Sequence, residues 1–259
     1  MNILEEIIIH KRAEVERKKM SGGVKNYGGM RSIEHGDFKK SIMKKEITLI
    51  AEIKRKSPSA GNIILDFSPE RLAKIYESAG ADAISVLTDE KYFGGSEKHI
   101  ALVKKSSKLP VLRKEFIIDE YQIYESDYLG ADAILLIASI LEQNQLKKFV
   151  KIATGLNLAV IIEVHNKTEI TRALNAGTEI IGVNNRNLKN FTVNLTTSLK
   201  LAPFIPNEII KVSESGIKTF ADIKSLMEAG FDAALVGTSI LQAKNITRKI
   251  AELKNQGIG

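Results

Sequence analysis

Short apolar runs recur along the chain at intervals that neither one helix nor one hairpin would produce. Four of them share a preamble: a helix end with glycine, an acidic residue, then the run. They are Ala79-Gly80-Ala81-Asp82 into Ala83–Leu87, Leu129-Gly130-Ala131-Asp132 into Ala133–Ile137, Ala176-Gly177-Thr178-Glu179 into Ile180–Val183, and Ala229-Gly230-Phe231-Asp232 into Ala233–Val236. Glycine at such a point suits a left-handed helix cap. A run of this length bounded by turn residues suits a strand buried on both faces.

Each interval holds a second run: Leu49–Ile53, Val111–Arg113, Leu158–Glu163 and Ile209–Val212. Strand starts are thus predicted near 49, 82, 110, 132, 158, 180, 209 and 233, alternating with helical stretches. Eight even strand–helix units predict an α/β fold, a closed (β/α)8 TIM barrel in preference to a doubly wound open sheet. Ahead of it, Ile3, Leu4, Ile7, Ile8 and Val15 fall near helical spacing among charges, predicting an extra N-terminal helix packed on the barrel bottom or rim. One domain is expected over residues 1–259, with 1–46 a helical extension, Ser21–Gly36 a connection, and no interdomain linker.

Composition narrows the classes. The chain has 259 residues, 44% hydrophobic and 27% charged, as in a globular protein, and a barrel of about 250 residues is commonly one domain. No uncharged apolar run of about 18 residues predicts a membrane span, and the start does not read as a signal peptide. The absence of cysteine excludes disulfides and thiolate chemistry. A cytoplasmic setting is expected. The net charge of +7 invites a nucleic-acid reading, but residues 1–46 carry 11 Lys or Arg against 7 Asp or Glu, more than half of the excess. It runs along the predicted helix and its connection without interleaved aromatics or a base-reading motif. A field attracting a small anionic substrate is the better reading.

In a barrel of this kind the active site lies at the C-terminal ends of the strands, so ionisable groups there are the candidates. The first strand exits as Ala51-Glu52-Ile53-Lys54-Arg55-Lys56-Ser57-Pro58; residues two apart share a face, so Glu52 and Lys54 can enter the mouth together. Lys114 leaves the third strand, where desolvation or nearby cations would lower its pKa and suit it to proton transfer. Glu163 ends an otherwise apolar fifth strand, either paired with a neighbouring cation or acting as a base. Asn184 and Arg186 leave the sixth strand on one face, an amide and a guanidinium that could orient and clamp carboxylates. The seventh and eighth strands exit as Ser213-Glu214-Ser215-Gly216 and Val236-Gly237-Thr238-Ser239, glycine and hydroxyl loops of the kind that bind phosphate. His10, His35, His99 and His165 are scattered, form no metal-ligand pair, and read as solvated or turn residues. No metal is expected.

Taken together, Ala51–Ser59, Leu112-Arg113-Lys114, Ile162-Glu163-Val164-His165, Gly182–Leu188 and Ser213–Ile217 resemble, in order and spacing, the segments that mark indole-3-glycerol-phosphate synthases. The likeness spans essentially the whole chain, including Ile3-Leu4, Lys11 and Glu14-Val15. It departs at Glu115, where the family more often has Asp, and at Thr238-Ser239. The resemblance implies ring closure, decarboxylation and dehydration of 1-(o-carboxyphenylamino)-1-deoxyribulose 5-phosphate to indole-3-glycerol phosphate in tryptophan biosynthesis, by lysine and glutamate acid–base chemistry without a cofactor. It implies that Lys114 protonates the sugar carbonyl, that Lys54, Glu52 and Glu163 serve the dehydration in an order left open, and that Arg186 and Lys54 hold the benzoate carboxylate while Asn184 orients Glu52. Lys56, Ser57, Glu214, Ser215, Gly216, Gly237 and Thr238 would contact substrate, most of them at its phosphate, and Phe93, Phe116, Leu135 and Leu188 would wall its ring. The oligomeric state, monomer or weak dimer, stays open, as does a non-enzymatic phosphate-ligand binder.

Overall fold

A computed structural model describes residues 3–22, 36–44, 46–58, 61–64, 66–187 and 191–255. Eight parallel strands close into a barrel: β1 (Thr48–Ile53), β2 (Ala83–Leu87), β3 (Val111–Lys114), β4 (Ala133–Ile137), β5 (Ala159–Val164), β6 (Ile180–Asn184), β7 (Ile210–Glu214) and β8 (Ala233–Val236). Each strand pairs with its sequence neighbours, and β1 closes the ring on β8 with Thr48 opposite Ala233. The strands begin within a residue of the predicted positions. Helices alternate with the strands throughout. Among the described residues no helix is long and apolar enough to cross a membrane.

The repeated preamble has a physical basis. Gly80, Gly130 and Gly230 take φ of 85°, 85° and 79° just past a helix end. Each donates its N–H three residues back, and the residue after it donates five residues back (Ala81 to Tyr76, Ala131 to Ser126, Phe231 to Leu226). That paired capping motif satisfies the last helical carbonyls and favours a left-handed residue, hence glycine. The acidic residue that follows staples the adjacent strand. Asp82 accepts from the Leu49 N–H at 2.8 Å, Asp132 from Val111 at 2.7 Å and Asp232 from Lys211 at 2.8 Å. Glu179 departs from this pattern and pairs at the surface with Lys39 at 2.7 Å.

Alternation along each strand sends one set of side chains outward to the helices and the other into the barrel. Ile50, Leu112, Leu135, Ile161, Val212 and Leu235 fill the interior, and the helix Phe38–Ile42 adds Phe38 and Ile42 to the same cluster. The N-terminal helix, Ile3–Met20, buries Ile7, Lys11 and Val15, one residue per turn. Ile3, Leu4 and Ile7 face the barrel mouth, which settles the packing as the rim. Most of the Ser21–Gly36 connection, with His35, lies outside the described residues.

Candidate active site

The inward positions change character at the C-terminal end of the barrel. Above the aliphatic interior stand Glu52, Lys114, Glu163 and Asn184, with Lys54 and Arg186 just beyond their strands. All six line one cavity of about 920 Å³. Its walls include Ile3, Leu4 and Ile7 of the N-terminal helix together with Phe93, Phe116 and Leu135. The Phe93 and Phe116 rings lie 6.0 Å apart, centroid to centroid.

Two glycines make room for the acids. A Cβ on Gly237 would lie 2.6 Å from Glu52 Oε2, and one on Gly182 would collide with Glu214 Oε1. Small residues at these inward positions of β6 and just past β8 thus let long carboxylates cross the barrel.

The charges are arranged as opposed pairs. Lys54 Nζ lies 2.8 Å from Glu52 Oε2, and Lys114 Nζ lies 2.6 Å from Glu214 Oε2. Burial pushes the Glu52 carboxyl upward, but Lys54, then Lys114 and Arg186, outweigh it and hold the group below the usual carboxylate range. Glu214, fully buried, is pushed up by desolvation and by the charges of Glu163 and Glu52, with Lys114 opposing. Among the described residues its Oε1 has no hydrogen-bond partner. Lys114 departs from expectation. Burial alone would lower its pKa, but Glu214, Glu52 and Glu163 together raise it above the ordinary lysine value. Carboxylates, not cations, are its nearest charged neighbours.

Other placements refine the sequence reading. The Asn184 carbonyl oxygen accepts the Arg186 backbone N–H at 2.9 Å, so the amide shapes the arginine's turn, and Glu52 is held by Lys54 instead. Glu214 is not on the cavity lining; it lies behind, under Lys114. Ser57 lines the cavity, whereas Lys56 does not. Lys56 sits on a small two-stranded ribbon (Lys56–Ser57 and Gly61–Asn62) beside the Glu90–Phe93 helix, where a Cβ on Gly94 would lie 3.3 Å from its Cγ. Leu188 lies outside the described residues.

Ser215, Gly216, Gly237 and Thr238, from the loops after β7 and β8, line the same cavity. Ser215 and Gly216 have successive φ of 68° and 84°, and Thr238 opens a short helix, Thr238–Leu241. Asn245 and Arg248, at the start of the helix Ile246–Leu253, also line it and escaped the sequence reading.

Two further groups were missed. Lys11, 1% exposed, bridges Asp89 at 3.0 Å and Glu115 at 3.1 Å. Glu115 in turn accepts the Phe116 N–H at 2.8 Å, while Asp89 caps the helix that ends in Phe93. One lysine of the rim helix therefore ties down both aromatic walls, and the longer acid at position 115 is what it grips. A lysine on the buried stripe of a helix was the available signal. His165, read as a solvated or turn residue, is half-buried, with Nε2 3.4 Å from Glu163 Oε1 and Nδ1 3.1 Å from Glu169 Oε2. The alternation rule that joined Glu52 to Lys54 also joins Glu163 to His165.

Comparison with known proteins identifies the family. The family model for indole-3-glycerol phosphate synthase matches residues 4–253. The chain is 44% identical over 258 residues to the indole-3-glycerol phosphate synthase of Thermoanaerobacter pseudethanolicus, covering 99% of each chain. It is 48% identical over 240 residues to that of Caldanaerobacter subterraneus subsp. tengcongensis, covering 93% of each. Among solved structures, a 3-hexulose-6-phosphate synthase superposes with a TM-score of 0.67 at 18% identity, over 81% of this chain and 99% of that one, a likeness of fold. The chain therefore belongs to the indole-3-glycerol phosphate synthase family, carboxy-lyases of tryptophan biosynthesis.

Proposed function

We propose that the cavity converts 1-(o-carboxyphenylamino)-1-deoxyribulose 5-phosphate to indole-3-glycerol phosphate by acid–base catalysis from its own lysines and glutamates, in the cytoplasm. The observation that carries this reading is the convergence of Glu52, Lys54, Lys114, Glu163 and Arg186, drawn from four strand ends, on one cavity.

Ring closure turns the sugar carbonyl oxygen into an alkoxide. Lys114 stays protonated through neutral pH because three carboxylates surround it. It is a weak acid toward water but a strong donor to an oxygen that gains charge during the step, which is where electrostatic help counts. Carbon dioxide leaves next and part of the ring's aromaticity returns. Dehydration then needs a proton for the departing hydroxyl and a base for the ring-nitrogen proton. Lys54 supplies the first. Glu163 takes the second: Glu52 is held ionised by Lys54, Lys114 and Arg186, and Glu163 has the His165 imidazole 3.4 Å from its Oε1. Arg186, with Lys54, faces the benzoate carboxylate. Ser215, Gly216, Gly237 and Thr238 grip the phosphate with Arg248 nearby, and Phe93, Phe116 and Leu135 enclose the ring. Glu214 serves by holding Lys114.

The purified protein should give a steady rise in indole fluorescence on addition of the substrate, with carbon dioxide released in equal amount. Binding of the substrate without product formation would contradict the proposal and leave a phosphate-ligand binding protein.

A further inference from the structure

The proposed base has a neighbour that the reaction scheme leaves unused. Glu163 and His165 are two residues apart at the end of β5, both turned toward the same side. The His165 ring is fixed from behind. Glu169, in the helix Lys167–Ala176, accepts the His165 backbone N–H at 2.7 Å with the same Oε2 that lies 3.1 Å from Nδ1. The other oxygen of Glu169 accepts from Asn166 at 2.6 Å. A carboxylate that takes a backbone N–H is an acceptor, so Nδ1 carries the ring proton and the neutral ring presents a lone pair at Nε2. Nε2 is buried, has no hydrogen-bond partner among the described residues, and lies 3.4 Å from Glu163 Oε1. An unpartnered buried polar atom costs stability, and this one faces the oxygen that receives a proton.

We propose that His165 is a positioning residue that takes the Glu163 proton at Nε2 and returns Glu163 to its carboxylate form while the cavity is still occupied. The inference rests on the reading of Glu163 as the base for the ring-nitrogen proton. The step balances: the Glu163 O–H bond breaks, the His165 Nε2–H bond forms, and glutamic acid plus imidazole become carboxylate plus imidazolium. No other reactant is needed. Glu169 and Glu163 flank the resulting cation, an arrangement in which a carboxylate fixes the imidazole and stabilises its charged form. The proton leaves to water when product vacates the cavity.

The scheme needs a neutral ring at the start of each turnover. Burial alone would lower the His165 pKa, but the bond to Glu169 and the charges of Glu163, Glu169 and Glu214 raise it above 6.5. Glu5, Arg12 and Arg186 line the open groove that the ring also borders. Turnover should therefore decline as pH falls through an inflection above 6.5.

Two variants separate transfer from support. His165→Asn keeps a donor for Glu169 in place of Nδ1 and offers nothing at Nε2; His165→Gln reaches toward Glu163 with an amide that cannot accept a proton. Both should lower kcat at least about tenfold, the low end of general acid–base help, leave KM within about twofold, and lose the inflection. Either variant with wild-type kcat and the inflection intact would overturn the proposal and reduce His165 to a helix-cap contact. Glu163→Gln distinguishes the two levels: an active variant removes Glu163 as the base, whereas an inactive one beside a normal His165→Asn removes only the transfer. Imidazole 15N resonances of the wild-type protein give a test independent of any variant. His165 must titrate above 6.5 with the proton on Nδ1 in its neutral form, and an Nε2–H form would contradict the scheme.

Discussion

Two buried charge clusters lie within the same barrel end and are built differently. In the first, on the rim-helix side, Lys11 meets Asp89, Glu115 and Glu14, while Arg113 donates to Glu125 at 2.6 Å, to Ser126 and to the Gln122 carbonyl. Lys18 joins from the rim helix, 3.0 Å from Glu125 and 2.8 Å from Glu97. The second cluster surrounds the cavity and, among the described residues, leaves Glu214 Oε1 and His165 Nε2 without hydrogen bonds. In the first the exception is Asp89 Oδ2, which has the Lys11 ammonium 3.0 Å away. A cluster that closes on itself holds the architecture, and one left open can exchange protons and charge with a ligand. Satisfaction of polar groups, more than burial or charge alone, separates scaffold from site.

The largest effect expected from breaking the contrast is kinetic. Lys114→Ala should cut turnover by at least about 10²-fold with an unchanged circular-dichroism spectrum. Near-normal turnover would move Lys114 into the scaffold class. Next comes Lys11→Met, which strands Asp89 and Glu115 in the interior. Removing one member of a buried ion pair costs roughly 3–5 kcal/mol, read as a fall in denaturant midpoint. In whatever fraction folds, KM should rise more than kcat falls, because the Phe93 and Phe116 walls loosen while Lys114 keeps Glu214. A variant as stable as wild type would show that the rim helix is held by its apolar face alone.

The smallest effect is a pH dependence. Burial pushes the Glu125 carboxyl up, but Arg113 and Lys18 outweigh it and hold the group down to about 2, against 4.5 ordinarily. A carboxylate whose folded pKa lies below its unfolded one stabilises the fold fully above the unfolded value. That contribution fades as pH falls from 4.5 toward 2. Thermal melts of Glu125→Gln should therefore show a shallower loss of Tm across that window than wild type does. Parallel curves would remove Glu125 from the network.

The fold was legible in the sequence because barrel architecture is written locally. Glycine at a left-handed cap, an acid that staples the preceding strand and a run of four or five mainly apolar residues recur often enough to count strands. The ionisable residues at strand exits were legible for the same reason: Glu52 and Glu163 stand in or end otherwise apolar runs, and Lys114 follows Arg113 at the exit of a third. What escaped depended on contacts across the ring. The pKa of Lys114 follows from acids on β1, β5 and β7, and Lys11 acquires its role only when the rim helix meets the loops after β2 and β3. The hydrogen bond of Asn184 likewise turned back to its own loop, which strand alternation does not encode. His165 was readable in principle, since Glu163 and Glu169 lie two and four residues away.

The most direct test of the gathered-rim account is a crystal structure with indole-3-glycerol phosphate bound. The account predicts the indole packed against Phe93 and Phe116, the phosphate against Ser215, Gly216 and Thr238, and Lys114 within hydrogen-bonding reach of the glycerol chain. Product bound elsewhere, or in this cavity with its phosphate turned toward Phe93 and Lys114 beyond reach, would contradict it.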